Sequence, residues 1–305
     1  MAAFFPVSWR CALAGQVKLS RIAISKILLA TDFSAQSQSA LKCAISLAKR
    51  YESNLFLVHT ISEEALLTAE EVWPALLDTA QRNAEKSMAQ LEQDKDLQSL
   101  PHEVVMSAGE TWEVLSRLVS EQNIDLIVMG THGSGGIDKL MLGSTAEKVV
   151  RHATCPVLTV GPRVRLLSLE RFSNILYATD FSSGSLRALN YALSLAKEDR
   201  AELAMLHIIE SLPVSDGEFI EWERRDRERL RQLVPPDIDL PFQPEMEVEV
   251  GDPATEIVRR ADARNAELIV MGSHSSGAVS THLPWTTLHH VLQHAHCPVL
   301  TVRAA

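Results

Sequence analysis

The stretch Asp125-Leu-Ile-Val-Met-Gly-Thr-His-Gly-Ser-Gly-Gly-Ile-Asp-Lys-Leu-Met-Leu-Gly-Ser-Thr145 joins an apolar run to a glycine-rich loop. The unbroken apolar run through Met129 is typical of a parallel strand that is buried on both faces. The residues after Gly143 have the spacing of an amphipathic helix through Val149 and Val150. The stretch therefore predicts a strand, a glycine loop and a helix N-terminus, in that order.

This junction favours an anion such as phosphate, because the first turn of a helix has unpaired N–H groups and the positive end of the helix dipole. Gly130 and Gly133 leave no Cβ in the path of an anion, and Gly143-Ser144-Thr145 adds a flexible backbone and two hydroxyls. Turn chemistry in a surface loop is the alternative explanation of these glycines. The loop lacks the Gly-Lys-Ser/Thr of P-loop enzymes, and it follows a late strand, unlike a dinucleotide-binding fingerprint.

The composition indicates a globular protein of about two domains, with 305 residues, 46% hydrophobic and 22% charged. A net charge of −10 argues against nucleic acid or an anionic membrane as a partner. No run of 18 apolar residues occurs, so no transmembrane helix is predicted. The few scattered cysteines favour free thiols and a cytoplasmic location; they are Cys11, Cys43, Cys155 and Cys297.

The chain contains an internal repeat, with two copies of the same sequence unit. Ile27-Leu-Leu-Ala-Thr-Asp-Phe-Ser34 returns 148 positions later as Ile175-Leu-Tyr-Ala-Thr-Asp-Phe-Ser182. Leu126-Ile-Val-Met-Gly130 returns 142 positions later as Leu268-Ile-Val-Met-Gly272. The second copy is therefore six residues shorter in its middle.

Strand and helix patterns alternate in each copy, which predicts an α/β fold with a parallel sheet covered on both faces. The predicted strands of the first copy are Lys26–Thr31, Asn54–Thr60, Glu103–Ser107, Asp125–Met129 and Pro156–Val160. The predicted helices are Ala35–Tyr51, Pro74–Leu91, Thr111–Glu121 and Ser144–His152. The expected organisation is an N-terminal extension at 1–24, a domain at 25–161, a linker at 162–172 and a second domain at 173–303.

The spacing Gly130, two residues, Gly133, nine residues, Gly143 and Ser144 resembles the nucleotide-binding signature of the universal stress protein family, in its ATP-binding branch. The resemblance covers nearly the whole chain. It implies two tandem, doubly wound five-stranded domains of the adenine nucleotide alpha hydrolase-like type, with strand order 3-2-1-4-5. In such a sheet the ligand binds where the winding reverses, between strands one and four.

The resemblance also implies a site for ATP in the first domain. Asp32 would contact the nucleoside, Thr60 would lie where backbone groups read adenine, and Mg2+ would bind through phosphate oxygens. Asp32 has an alternative role as the cap of the next helix, since Asp180 recurs in the second copy. The expected nucleotide-binding residues are Ala30, Thr31, Asp32, Thr60, Met129, Gly130, Gly133, Gly143, Ser144 and Thr145.

The second copy departs from this pattern. Ser275 stands in place of the second glycine, and Trp285 stands in place of Gly143. An indole would obstruct the contact between backbone and phosphate, so we expect one nucleotide per chain. His290 and His294 have the i,i+4 spacing of zinc ligands, but no complete ligand set follows, and no metal site is predicted.

The sequence contains no recognised catalytic motif, so we expect a stress-response regulatory protein that binds ATP rather than an enzyme. The alternatives are a slow ATPase or phosphotransferase that uses Asp32, and a structural scaffold without nucleotide. Family members pair through their fifth strands. We therefore expect an intramolecular pseudo-dimer through Pro156–Val160 and Pro298–Val302, and a homodimer of two chains is a further option.

Overall fold

The computed structural model describes residues 22–61, 73–131, 142–164, 171–210, 215–273 and 285–304. The first half contains β1 (Lys26–Ala30), α1 (Ala35–Tyr51), β2 (Asn54–Ile61), α2 (Trp73–Leu91), α3 (Lys95–Gln98), β3 (His102–Ala108), α4 (Thr111–Gln122), β4 (Leu126–Gly130), α5 (Ser144–His152) and β5 (Val157–Val160). The second half contains β6 (Asn174–Ala178), α6 (Ser183–Asp199), β7 (Glu202–Ile209), α7 (Asp216–Leu233), β8 (Glu245–Val250), α8 (Pro253–Ala263), β9 (Leu268–Ser273), α9 (Trp285–His294) and β10 (Val299–Arg303).

The strands form one ten-stranded sheet with the order β3-β2-β1-β4-β5-β10-β9-β6-β7-β8. Within each half, neighbouring strands are parallel and follow the order 3-2-1-4-5, which confirms the predicted fold. The halves meet where β5 pairs antiparallel with β10, with Leu158 opposite Leu300. In that joint Thr159 Oγ1 donates to the carbonyl of Val299 at 3.1 Å, and Thr301 Oγ1 donates to the carbonyl of Val157 at 3.2 Å.

Successive residues of each strand enter two different cores, because side chains alternate between the faces of a sheet. Ile27 and Leu29 pack with the residues of α1 and α6, whereas Leu28 packs on the opposite face with α4, α5, α8 and α9. All three leucine and isoleucine side chains are fully buried. This two-sided burial explains the continuous apolar runs that the sequence shows.

A second contact between the halves lies at the C-terminal ends of α1 and α6. The Arg50 guanidinium is 2.6 Å from the buried carboxylate of Asp199, and it also reaches Glu198 at 3.3 Å. Tyr51 donates its hydroxyl hydrogen bond to Glu198 at 2.8 Å. The main-chain N–H of Phe172 donates to Asp199 at 3.0 Å. One buried charge cluster thus joins both halves at this end.

The predicted strands and helices of the first half are confirmed to within one or two residues at most ends. The sequence pattern missed α3, a single turn that Asp94 caps by accepting the N–H groups of Asp96 and Leu97. In the second half Pro253 begins α8, and Asp252 caps this helix by accepting the N–H of Thr255. Among the described residues, no helix has the length and apolar character that crossing a membrane requires.

Candidate functional site

The carboxyl ends of β1 and β4 meet in the middle of the first half. Ala30 lies opposite Met129 in the parallel pair, and the N–H of Thr31 continues the ladder to the carbonyl of Val58 at 2.9 Å. Gly130 follows Met129 as the last residue of β4 and lies opposite Val160 of β5. The sheet therefore brings these four predicted residues to the same edge, where the winding reverses. This is the position at which an open α/β sheet binds ligands.

The N-terminus of α5 is fastened to this edge by its first residues. The N–H of Gly143 donates to the carbonyl of Thr131, the residue after β4, at 2.8 Å. Gly143 is the N-cap, with φ −63° and ψ 143°, and it makes no side-chain cap hydrogen bond. Ser144 is exposed and Thr145 is partly buried. The first turn of α5 therefore presents main-chain N–H groups that no capping side chain satisfies.

Other helices of the described residues differ from α5 in this respect. In α1, α3, α4, α6, α7 and α8 the N-cap side chain accepts a main-chain N–H of the first turn; these caps are Ser34, Asp94, Glu110, Ser182, Ser215 and Asp252. The sequence thus supplies a capping side chain at these six positions and a glycine at α5.

Asp32 belongs to a tight turn that leads from β1 into α1. Its Oδ1 accepts the N–H of Ser34 at 3.1 Å, and Thr31 Oγ1 accepts the N–H of Phe33 at 3.1 Å. Phe33 has a φ of 63°, a conformation that costs energy for a residue with a side chain. Ser34 is the cap of α1, since its Oγ accepts the N–H of Ser37. The alternative role of Asp32 as the helix cap is therefore wrong, and its carboxylate instead stabilises the strained turn.

The same turn recurs in the second half. Asp180 Oδ1 accepts the N–H of Ser182 at 3.0 Å, and Phe181 has a φ of 61°. His207 Nδ1 lies 2.9 Å from the carbonyl of Thr179, and His59 Nδ1 lies 2.8 Å from the carbonyl of Thr31. The Thr-Asp-Phe-Ser motif therefore has a structural role in both halves, whatever each half binds.

Gly130 packs closely against the first turn of α1. A Cβ at this position would lie 3.1 Å from Gln36 Cβ and 3.2 Å from the carbonyl carbon of Gln36, in the first turn of α1. Gly272 packs even more closely against α6, where an added Cβ would lie 2.3 Å from the main-chain nitrogen of Ser185. The argument that Gly130 keeps a path clear for an anion is thus not needed to explain this glycine.

Thr60 contacts a residue that the sequence pattern did not single out. Its Oγ1 lies 2.7 Å from Thr111 Oγ1, at the N-terminus of α4. The cap of that helix, Glu110, is 2.9 Å from the ammonium group of Lys148 on α5. Partial burial raises the pKa of Glu110, but the hydrogen bonds from Lys148 and from the N–H of Glu113 outweigh this effect and hold the pKa below its ordinary value. A threonine at the first position of a predicted helix was the only available signal for Thr111.

Of the predicted site residues, Gly133 lies outside the described residues. The others lie in the first half, where Asp32 directly follows Thr31, and Ser144 and Thr145 directly follow Gly143. The remaining six fall into two groups. Ala30, Thr31, Met129 and Gly130 meet Gly143 at the sheet edge through the contacts described above. Thr60 lies on β2, the strand next to β1, and is joined to α4.

The corresponding edge of the second half has a cleft of only about 30 Å³. It is lined by Thr179, Asp180, His207, Glu210 and Pro253, among others. Pro253 occupies the repeat position of Thr111. A space of this size holds one or two water molecules.

A buried carboxylate lies beside this cleft. Asp226 of α7 is hydrogen-bonded by Arg225 at 2.7 Å and by Arg229 at 2.9 Å, and its carboxylate is 4.0 Å from His207 Nε2. Burial raises the pKa of Asp226, but the hydrogen bonds from the two arginines outweigh it and hold the pKa below its ordinary value. The Arg229 guanidinium also covers the ring of Phe181 at 3.8 Å. Charged side chains thus crowd the edge of the second half.

The histidines of α9 pack against each other. The rings of His290 and His294 stack with their centroids 4.0 Å apart, and His294 Nδ1 lies 2.9 Å from the carbonyl of His290. Burial, and then the neighbouring His294, lower the pKa of His290. No group of three potential metal ligands occurs in the part of the chain that the structure describes.

Comparisons with known proteins agree with this architecture. The model of the universal stress protein family matches residues 23–161 and again residues 171–303. Universal stress protein Rv2623 of Mycobacterium tuberculosis H37Rv is 27% identical over 291 residues, which cover 91% of this chain and 96% of that protein. A universal stress protein of Mycolicibacterium smegmatis is 25% identical over 295 residues, with the same coverage of both chains.

The crystal structure of a universal stress protein from Archaeoglobus fulgidus DSM 4304 has the same fold, with a TM-score of 0.66 and 24% identity over 92% of this chain and 99% of that one. The family model covers most of the chain, and it matches once in each half. The chain therefore belongs to the universal stress protein family, as a protein with two tandem family domains.

Proposed function

We propose that the first half binds one adenine nucleotide, ATP, and that the bound nucleotide regulates a stress response. The adenosine would lie over the ends of β1 and β2, near Thr31, Asp32 and Thr60, and the phosphates would lie at the N-terminus of α5. Mg2+ would bind mainly through phosphate oxygens, in keeping with its preference for few protein ligands.

One observation carries the proposal: the N-terminus of α5 has a glycine cap and lies at the point where the winding reverses. Gly143 leaves the first-turn N–H groups without a capping side chain, and its own N–H is bound to Thr131 beside the end of β4. A helix N-terminus in this state favours a phosphate through both its N–H groups and its dipole. Ser144 and Thr145 add hydroxyls next to the same N–H groups.

The second half supports binding by the first half alone. Its strand-end cleft is about 30 Å³, and the sequence has Trp285 in place of Gly143. The buried cluster around Asp226 fixes side chains beside that cleft. We further propose that the antiparallel joint of β5 and β10 replaces, within one chain, the pairing of two separate family domains.

Calorimetric titration with ATP and Mg2+ tests the proposal, with Gly143→Asp as the main variant. The φ and ψ of Gly143 suit an L-residue, and aspartate is a good N-cap, so this variant should keep α5 folded and gain a few tenths of a kcal/mol. Its carboxylate would occupy the N–H groups and repel the phosphates. Two unit charges about 4 Å apart interact by about 1 kcal/mol in water and about 4 kcal/mol at an effective dielectric constant of about 20. We expect binding at least tenfold weaker.

Gly143→Ser is the matched control, because serine caps the helix without a charge and should weaken binding less than aspartate does. Wild-type protein should bind one ATP per chain, and the inorganic phosphate released during the same titration reports any turnover. Two equivalent sites per chain, or ATP binding by Gly143→Asp as tight as that of the wild type, would refute the proposal.

A further inference from the structure

A cavity of about 230 Å³ lies at the junction of the two halves. We call it the seam cavity. The first half contributes Thr154 and Cys155, just before β5, and the second half contributes Arg187 and Asn190 of α6 and Arg303 at the end of β10. It is separate from the candidate nucleotide site, which lies at the carboxyl ends of the first-half strands, whereas the seam cavity lies at the amino end of β5.

The seam cavity contains two positive charges without a carboxylate partner. Arg187 donates to the carbonyl of Arg303 at 3.3 Å, and Arg303 donates to the carbonyl of His152 at 2.9 Å. Within the described ranges, neither guanidinium forms an ion pair, although the chain carries a net charge of −10. Some other arginines do pair with acids, as Arg260 does with Glu249 and Arg264 with Glu245. Burial raises the pKa of the Cys155 thiol to about 12, so the thiol adds no negative charge at neutral pH.

Two polar atoms at the seam cavity are buried and have no hydrogen-bond partner in the described structure. They are Nε of Arg303, a donor, and Oδ1 of Asn190, an acceptor. Buried polar groups are normally satisfied, and each exception calls for an explanation. Both atoms have almost no accessible surface, so a ligand in the cavity would bind the other donors of these side chains, which are the terminal N–H groups of Arg303 and the N–H2 group of Asn190.

The arginine pair occurs on only one side of the repeat. The repeat positions of Arg187, Asn190 and Arg303 in the first half are Ser39, Lys42 and Gly161. The equivalent junction on the other side therefore lacks both guanidinium groups. Packing common to the two halves does not account for this arginine pair.

We propose that the seam cavity binds a compact tetrahedral oxyanion, a phosphate or a small phosphate monoester, held between the two halves. Guanidinium groups bind phosphate through several charge-assisted hydrogen bonds. Near neutral pH a phosphate monoester is largely a dianion, since its second pKa is about 6, so its charge matches the two guanidinium groups, and its oxygens can also accept from the N–H2 group of Asn190. A single carboxylate carries one negative charge and would leave one of the two guanidinium groups without a counter-charge. The cavity exceeds the space that one water needs by more than tenfold, which leaves room for a phosphoryl group and a small organic substituent.

The test is calorimetric titration of the full chain with inorganic phosphate, glycerol 3-phosphate and succinate at constant ionic strength. Arg303→Gln and Arg187→Gln should each weaken phosphate binding at least tenfold. Arg231→Gln, which changes an exposed arginine paired with Glu228, should leave it unchanged. The Gly143→Asp variant removes the other candidate phosphate site, so binding that persists in this variant belongs to the seam cavity.

Asn190→Asp provides a second test of the proposal that does not depend on the arginines. The substitution is nearly isosteric, and it places a carboxylate next to the bound anion. It should weaken phosphate binding at least tenfold while circular dichroism stays unchanged. Tighter binding of the monoester than of inorganic phosphate would identify an organic phosphate as the ligand, and the reverse order would identify free phosphate. Succinate binding as tight as phosphate, or phosphate binding that is unaltered in both Arg303→Gln and Asn190→Asp, would overturn the proposal.

Discussion

The contact between β9 and α6 predicts a large difference between two chemically identical substitutions. In Gly272→Ala the added Cβ would lie 2.3 Å from the main-chain nitrogen of Ser185 and 2.4 Å from the carbonyl carbon of Gly184. In Gly130→Ala the shortest distance would be 3.1 Å, to Gln36 Cβ. The difference has a clear origin, because Gly184 occupies the repeat position of Gln36 and lets α6 approach the strand more closely.

The distances set the expected magnitudes. Carbon atoms pack at about 3.5 Å or more, so Gly272→Ala requires a main-chain shift of about 1 Å, and Gly130→Ala a shift of about 0.4 Å. Overpacking a core typically costs about 1 to 3 kcal/mol. Replacing glycine by alanine also lowers the entropy of the unfolded chain, which returns about 0.4 to 1 kcal/mol. We expect Gly272→Ala to lower the free energy of unfolding by about 2.5 kcal/mol, and Gly130→Ala by less than about 1 kcal/mol.

Urea unfolding followed by far-ultraviolet circular dichroism measures both variants beside the wild type. The unfolding free energy of a protein falls by about 2 kcal/mol per M of urea, and this slope converts the expected energies into midpoints. The midpoint of Gly272→Ala should fall by roughly 1 M or more, and that of Gly130→Ala should move by less than roughly 0.5 M. Neither glycine has a positive φ, so main-chain strain does not complicate the comparison. Equal midpoints for the two variants, or a wild-type midpoint for Gly272→Ala, would show that the close approach of α6 does not determine stability here.

Two further predictions concern buried groups. Burial raises the pKa of Asp199, so the folded protein favours the protonated acid. The stability that this protonated acid contributes to the folded protein is complete below the ordinary pKa of aspartate. It is lost as the pH rises through the raised pKa. Arg50→Gln removes a cation that lowers the pKa of Asp199, so the urea midpoint, measured between pH 4 and pH 8, should fall over a wider pH range than in the wild type. At neutral pH the variant should lose about 3 kcal/mol of unfolding free energy. The control Arg82→Gln changes an exposed arginine and should alter that free energy by less than about 0.5 kcal/mol. A wild-type pH profile for Arg50→Gln would contradict this account. Burial also raises the pKa of the Cys43 and Cys297 thiols to about 12, so neither thiol should be alkylated at pH 8 until urea unfolds the chain. Peptide mass spectrometry measures the alkylation of each cysteine. Rapid alkylation of either cysteine in the native protein would contradict its burial.

The sequence predicted the periodic parts of the fold well, because both faces of the sheet are buried and each strand appears as an apolar run. The runs at Leu126–Gly130 and Leu268–Ser273 are continuous strands in the structure. The strand order 3-2-1-4-5 of both halves came from the resemblance to the universal stress protein family, and the structure has that order in each half. The short helix α3 was missed, since four residues contain too little periodicity to distinguish a helix from a turn.

Roles that depend on distances across the fold were not accessible to sequence patterns. The sequence places Asp32 and Ser34 equally well as a helix cap, and only the hydrogen bonds distinguish the turn residue from the cap. Gly130 was assigned to an anion path because its neighbour Gln36 is far away in sequence. The side-chain contact of Thr60 with Thr111 joins two residues 51 positions apart, and no local motif marks it.

The antiparallel pairing of β5 with β10 makes the two rims of the sheet different from each other. All strands within a half are parallel, so reversal at the joint sends the carboxyl ends of the two halves to opposite rims of the sheet. A partner that touched the first-half rim would meet the glycine-capped end of α5 and none of the crowded cleft beside Asp226. Conformational coupling between the two rims would have to pass through the contacts that join the halves, which include the β5–β10 hydrogen bonds and the Arg50 cluster.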